Sequence, residues 1–191
     1  NFTPTNPLTP NSGKNKEKNP LLNIGLKESR EKLQLMKAEE RLNWAIKEFD
    51  SRFVLTTSFG IQSAVLLNMI HGFGKENSPK VVWVDTGYLP KETYTYVEQL
   101  TNQLELEIEI VQSKISPARM EALYGRLWST NSVEDLEKYN HIRKVEPLEE
   151  AFNKLDVICW ASGVRGGQTT HRRSMTYLDS IRGRISLRPI L

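Results

Sequence analysis

Cysteine is nearly absent: Cys159 is the single one among 191 residues. One thiol closes no internal disulfide and builds no Cys-based metal site, which agrees with a reducing compartment. Long apolar runs are missing too, and the start of the chain lacks the charged, apolar and small-residue succession of a signal peptide. A cytoplasmic location is therefore expected. Charge of one sign is also scarce, since 26 basic against 23 acidic residues leave a formal net charge of +3. Such a balance argues for neither nucleic acid nor a membrane as partner.

Asn1 to Pro20 holds few apolar residues among Asn, Pro, Thr, Ser and Lys. It cannot bury enough surface to offset the entropy of ordering, so a disordered segment over 1–20 is expected, followed by a single domain over 21–191. Leu33, Met36, Leu42, Ile46 and Phe49 then recur at mainly helical spacing. One or two helices lead into a first strand. The remaining pattern predicts strand Phe53 to Thr56, helix Ser63 to Ile70, strand Lys80 to Val84, helix Pro90 to Leu104 and strand Glu107 to Val111. Helices to about Phe152, strand Val157 to Ser162 and a last strand near Arg184 to Leu187 complete it. Alternation of this kind predicts an α/β fold, an open, mostly parallel sheet with helices on both faces.

Three strand ends carry polar groups. Arg52 to Ser63 runs from an apolar strand through Thr57, Ser58 and Gly60 into a helix. The first N–H groups of a helix lack intrahelical partners and carry the positive end of its dipole, so such a turn can cradle a phosphate. An ordinary βα turn with a Ser N-cap would read the same way. The strand Lys80 to Val84 ends in Asp85-Thr86-Gly87-Tyr88, and Val157 to Ala161 ends in Ser162-Gly163-Val164-Arg165. In a parallel open sheet these carboxyl ends form the crevice where ligands bind. Arg165, His171, Arg172, Arg173, Arg182, Arg184 and Arg188 face only Asp179 in the last third of the chain. That cluster suits a polyanionic ligand, or else a solvated basic face. The loop Gly166 to Ser174 has no apolar periodicity and reads as a surface excursion or a ligand lid.

Taken in order, Ser58-Phe59-Gly60-Ile61-Gln62, Asp85-Thr86-Gly87-Tyr88 with Glu92-Thr93, Leu123 to Trp128, Lys138-Tyr139-Asn140, Arg143 to Pro147 and Gly163-Val164-Arg165 resemble the thioredoxin-dependent phosphoadenylyl-sulfate reductases of sulfate assimilation. That family is related to the adenylyl-sulfate reductases and the ATP pyrophosphatases. The resemblance runs from about Leu42 to the last residue. It implies an adenine nucleotide alpha hydrolase-like fold and reduction of 3′-phosphoadenylyl sulfate to sulfite and adenosine 3′,5′-bisphosphate, with thioredoxin as electron donor. A homodimer is what the family suggests.

The resemblance also implies a substrate-binding set. Thr57, Ser58, Phe59, Gly60, Gln62 and Ser63 would form the phosphate loop, with Phe59 where ATP pyrophosphatases have Gly. Val84 and Asp85 would lie beside the nucleoside, unless Asp85 only caps the following turn. Lys144 would face the sulfate, and Pro147 just after it would open a helix. Gly163, Arg165, Gln168 and Arg172 would complete the set, with one of the two arginines reading the phosphate on the ribose. His171 reads better as a neutral surface imidazole.

Two departures matter. Reductases of adenylyl sulfate carry paired Cys just before the Arg143 to Pro147 string, where this chain has Asn140 and His141. No bound cofactor, and in particular no iron–sulfur cluster, is expected. The family's nucleophilic Cys lies close to the carboxyl terminus, and this chain reaches Leu191 without it. Cys159, between Ile158 and Trp160, reads as a buried structural thiol. The nucleophile, and with it every catalytic residue, is expected beyond Leu191. An adenylyl-sulfate reductase, an ATP pyrophosphatase-type transferase and a non-catalytic nucleotide-binding module remain alternatives. No physical reason for Trp128 emerges from the sequence.

Overall fold

The computed structural model describes residues 25–60 and 63–191. The segment Asn1 to Pro20, expected to be disordered, lies outside the described residues, as do Gln62 and the side chains of Gln168 and His171. Six strands, β1 (Phe53–Thr57), β2 (Lys80–Asp85), β3 (Ile108–Gln112), β4 (Cys159–Ser162), β5 (Leu178–Ile181) and β6 (Arg184–Leu187), form one sheet in the order β3-β2-β1-β4-β6-β5. Neighbours run parallel except β5 and β6. Eight helices accompany it among the described residues: α1 (Leu26–Gln34), α2 (Ala38–Phe49), α3 (Ser63–His71), α4 (Lys91–Gln103), α5 (Pro117–Tyr124), α6 (Val133–Asn140), α7 (Glu146–Lys154) and α8 (Thr170–Arg173).

Successive strand residues point to opposite faces, and the core divides accordingly. Phe53, Leu55, Val81, Trp83, Cys159 and Ala161 pack with Leu33, Leu42, Leu66, Leu67, Ile70 and Val97 of α1 to α4. Val54, Val82 and Trp160 point the other way, onto Ala151 and Phe152 of α7. Both faces are covered by helices, as the alternation predicts.

The sequence does not reveal β5. Leu178 and Ile181 enclose Asp179 and Ser180, so no two-residue alternation marks a strand. The turn that returns it to β6 is Arg182-Gly183, with φ of 51° and 77°. Both residues are left-handed, as a two-residue hairpin demands, but Arg is an uncommon first member of such a pair.

Pro147 stands in the first turn of α7, as expected, but α7 does not rise out of a loop. The chain is already helical from Val133, and His141–Val145 forms a π turn in which the Glu146 N–H bonds back to His141 O. Proline has no N–H, so the α-helical bond from residue 147 to Arg143 O is impossible. A wider turn immediately before it accommodates the missing donor, and such turns concentrate at functional sites.

Candidate functional site

From β1 the chain winds outward through β2 to β3, then returns to place β4 on the other flank of β1. The crevice beyond the carboxyl ends of β1 and β4 is thus the topological switch point, where open sheets bind ligands. A cleft of about 830 Å³ lies there, large enough for a nucleotide-sized molecule. Thr56, Thr57, Ser58, Gly60 and Ser63 line it from β1 and α3, and Val82, Trp83, Val84, Thr86 and Leu89 from β2 and its loop. Lys144, Val145 and Leu148 come from the π turn and α7, Ser162, Gly163 and Val164 from the end of β4, and Arg172 and Arg182 from the basic segment.

Of the residues expected from the sequence, Thr57, Ser58, Gly60, Ser63, Val84, Lys144, Gly163 and Arg172 share this cleft. The turn after β1 is built locally. Thr57 Oγ1 accepts from Phe59 N–H at 3.0 Å, and Gly60 O accepts from Ser63 N–H at 2.8 Å as α3 begins. Thr56 Oγ1 donates to Ala161 O at 3.0 Å, tying the turn to β4.

Three expected residues are not on the wall. Phe59, at φ 50°, turns its ring into the core against Trp83, 5.5 Å between centroids and nearly edge-on. It wedges the turn in place from beneath. Arg165 is half-buried and does not line the cleft. Asp85 is buried and points into its own loop, accepting from Gly87 N–H at 2.8 Å, Tyr94 OH at 2.7 Å and Gln112 Nε2 at 2.6 Å. The capping alternative describes it better than a nucleoside contact.

Burial alone would push the Asp85 carboxyl up, but its three hydrogen bonds and the nearby Arg143 charge outweigh this and hold it below the usual carboxylate range. Its stabilising contribution is therefore fully present above the unfolded value of about 3.9 and is lost as pH falls through the folded value. Asp85→Asn should cost about 1–3 kcal/mol at neutral pH, and the urea stabilities of variant and parent should converge on acidification below about pH 4. A gap that stays constant down to pH 3 would show that the charge contributes nothing.

The basic cluster divides as well. Arg184 is committed to Glu149 at 2.5 Å, Asn153 at 2.6 Å and Val157 O at 3.0 Å, and Arg188 to Thr176 O at 2.8 Å and Asp179 at 3.3 Å. These two brace the β5–β6 hairpin. Arg172 and Arg182 are the members that reach the cleft. Cys159 is fully buried, and burial pushes its thiol well above the ordinary value. It supplies no thiolate. Among the described residues no group of three or more His, Cys, Asp or Glu is gathered for a metal, and no helix is long and apolar enough to cross a membrane.

Sequence reasoning misses Thr56, Leu89 and Leu148, and it names Thr86, Ser162 and Arg182 only within strand ends and the basic cluster, not in the binding set. Leu148 carries a usable signal, standing four residues after Lys144 on the same helical face. Trp128 gains a reason. Its ring lies 4.4 Å from Tyr88 and 5.7 Å from Tyr139, so it packs under the loop that follows β2.

Fold and site together define a doubly wound α/β protein whose switch-point crevice is lined by hydroxyls, Lys144, Arg172 and Arg182. The sequence profile of the phosphoadenosine phosphosulfate reductase domain matches residues 52–191, and the chain belongs to that family. It is 48% identical to the phosphoadenosine 5′-phosphosulfate reductase of Synechococcus sp. (strain ATCC 27144 / PCC 6301 / SAUG 1402/1) over 172 residues, which are 90% of this chain and 73% of that protein. The enzyme of the same name from Synechocystis sp. (strain ATCC 27184 / PCC 6803 / Kazusa) is 46% identical over 81% of this chain and 61% of its own length. That of Zymomonas mobilis is 40% identical over 87% and 67%. The chain thus spans between 61% and 73% of these relatives. The crystal structure of the phosphoadenylyl-sulfate reductase from Candida auris, a phosphate complex, superimposes with a TM-score of 0.71 at 24% identity, over 86% of this chain and 77% of that one. That likeness concerns the fold.

Proposed function

We propose that this chain is the nucleotide-binding part of an assimilatory reductase that converts 3′-phosphoadenylyl sulfate to sulfite and adenosine 3′,5′-bisphosphate. One observation carries the reading. In a chain of this family, Thr57, Ser58, Gly60 and Ser63 share a single cleft with Lys144 and Arg172. Donors and cations so placed would accept the charge of the phosphosulfate and of the phosphate that leaves.

The chemistry requires a thiolate that attacks the sulfur of the phosphosulfate. The S–O bond to phosphate breaks, the bisphosphate leaves with that electron pair, and the sulfonate stays on the thiol as a thiosulfonate. A thiolate of thioredoxin then attacks the enzyme's sulfur and expels sulfite, and the second thioredoxin thiol closes its disulfide and frees the enzyme. Two electrons thus pass from dithiol to sulfur. Cys159 is unfit for the first step, being buried within β4, so the attacking thiolate is assigned to residues that this chain does not contain. Asn140 and His141 offer no thiolates for a cluster, and the proposed enzyme is cluster-free and cytoplasmic.

Calorimetry with adenosine 3′,5′-bisphosphate should show saturable binding, weakened about tenfold or more in Arg172→Ala. Absence of heat at high ligand concentration would sink the reading. Tighter binding of adenosine 5′-phosphate than of the bisphosphate would favour adenylyl sulfate as substrate.

A further inference from the structure

Arg143 stands one residue before Lys144, yet its guanidinium turns away from the cleft and is only 2% exposed. Nε donates to Thr86 O at 2.8 Å, Nη2 donates to the same oxygen, and Nη1 donates to Ile115 O. The guanidinium carbon lies 5.5 Å from the centre of the Tyr88 ring. Its hydrogen-bond acceptors are neutral carbonyls and the Asp85 carboxylate is a nearby opposite charge, so removing the fork would leave buried polar groups unpaired. The fork joins three segments: the loop after β2, the loop before α5, and the π turn itself.

That turn is the weak point of the helical run from Val133 to Lys154. It carries an extra residue and stands next to the donor that Pro147 lacks. Lys144 projects from it into the cleft, where Thr86 lines the facing wall. We propose that Arg143 is a positioning residue: its guanidinium clamps the π turn to the β2 loop and thereby holds the neighbouring Lys144 ammonium in the cleft. The proposal rests on the cleft being the site of an anionic nucleotide.

The aromatic residues behind the clamp fit the same role. Tyr88 lies beneath the guanidinium, Trp128 packs on Tyr88, and Tyr139 touches both, with Lys144 Nζ 5.6 Å from the Tyr139 ring. Trp128 is absent from the cleft wall and instead backs the platform on which the clamp sits. In this way a residue off the cleft wall serves the site.

The test combines a mutant cycle with hydrogen exchange. Arg143→Met, Arg143→Lys, Lys144→Met and the double variant Arg143→Met/Lys144→Met are titrated with adenosine 3′,5′-bisphosphate. Amide exchange of residues 141–146 is followed without ligand. Arg143→Met should weaken binding about tenfold, and the double variant should bind no worse than Lys144→Met alone, because Arg143 acts through Lys144. Exchange at 141–146 should rise about tenfold or more while β1 and β2 keep their protection. Arg143→Lys keeps the charge without the fork and should fall between, which preserves the test if the Met variant does not fold.

Losses that multiply in the double variant would overturn the proposal. So would unchanged exchange at 141–146, or protection lost equally across the sheet, which would make Arg143 a general stabiliser. If the parent chain binds no bisphosphate, the nucleotide reading fails, and the exchange measurement decides the clamp alone.

Discussion

Lys144→Met in the full-length reductase is expected to lower turnover about a hundred- to thousandfold, the usual cost of removing one preorganised group that meets developing charge. The ammonium lines the cleft together with Thr57, Ser58, Gly60, Ser63 and Arg172, and in the proposed reaction negative charge builds on the departing phosphate. If Lys144 acts mainly there, kcat falls with little change in KM. If it grips substrate and transition state equally, KM rises and kcat is kept. Steady-state kinetics with 3′-phosphoadenylyl sulfate and thioredoxin separate the two, and a loss below about threefold in both parameters would remove Lys144 from the mechanism. Met is the better replacement than Ala, since it keeps an unbranched apolar stem of similar length and leaves no cavity beside the π turn.

The parts of this molecule that depend on neighbours in sequence were legible, and those that depend on distant neighbours were not. Phe53 to Thr57 and Lys80 to Asp85 announce themselves as apolar runs ending in polar turns, and the order of such runs is enough for a parallel sheet and its crevice. The eight expected residues that share the cleft come from those two runs and their turns, from the end of β4, from the string around Lys144 and from the basic segment. Asp85 shows the limit. Its residue type fits a nucleoside contact or a cap equally, and only Gln112, from the adjacent strand, and Tyr94, from the next helix, decide that the carboxylate is spent inside its own loop. The arginines show it again: Asp179, the one local acid, takes Arg188, but Arg184 is taken by Glu149 on α7, which a count of local charges does not reveal. Arg143 stands within a legible motif, but its partners Thr86 and Ile115 stand 57 and 28 residues away.

Gly87→Ala should be the most damaging single-methyl change in the β2 loop. Gly87 has φ 74°, and a Cβ there would lie 2.7 Å from Pro117 Cγ and 3.0 Å from Arg143 Nη2. The backbone term alone is about 1–2 kcal/mol for a left-handed Ala, and displacing the Pro117 ring and a clamped guanidinium adds about 1–3 kcal/mol more. A total loss of about 2–5 kcal/mol follows from those two terms. Gly183 supplies the control, because its φ is 77° and nothing would lie within 4 Å of its Cβ. Gly183→Ala should therefore show the backbone term by itself. Asn tolerates the left-handed region better than Ala, so Gly183→Asn should recover most of that loss. At Gly87 the same Asn should recover little, since its Cβ meets the same ring. Urea unfolding of the four variants reads the difference directly. Equal losses at the two positions would mean that the contact with Pro117 and Arg143 carries no energy, and with it would go the tight seam between the β2 loop, α5 and the π turn.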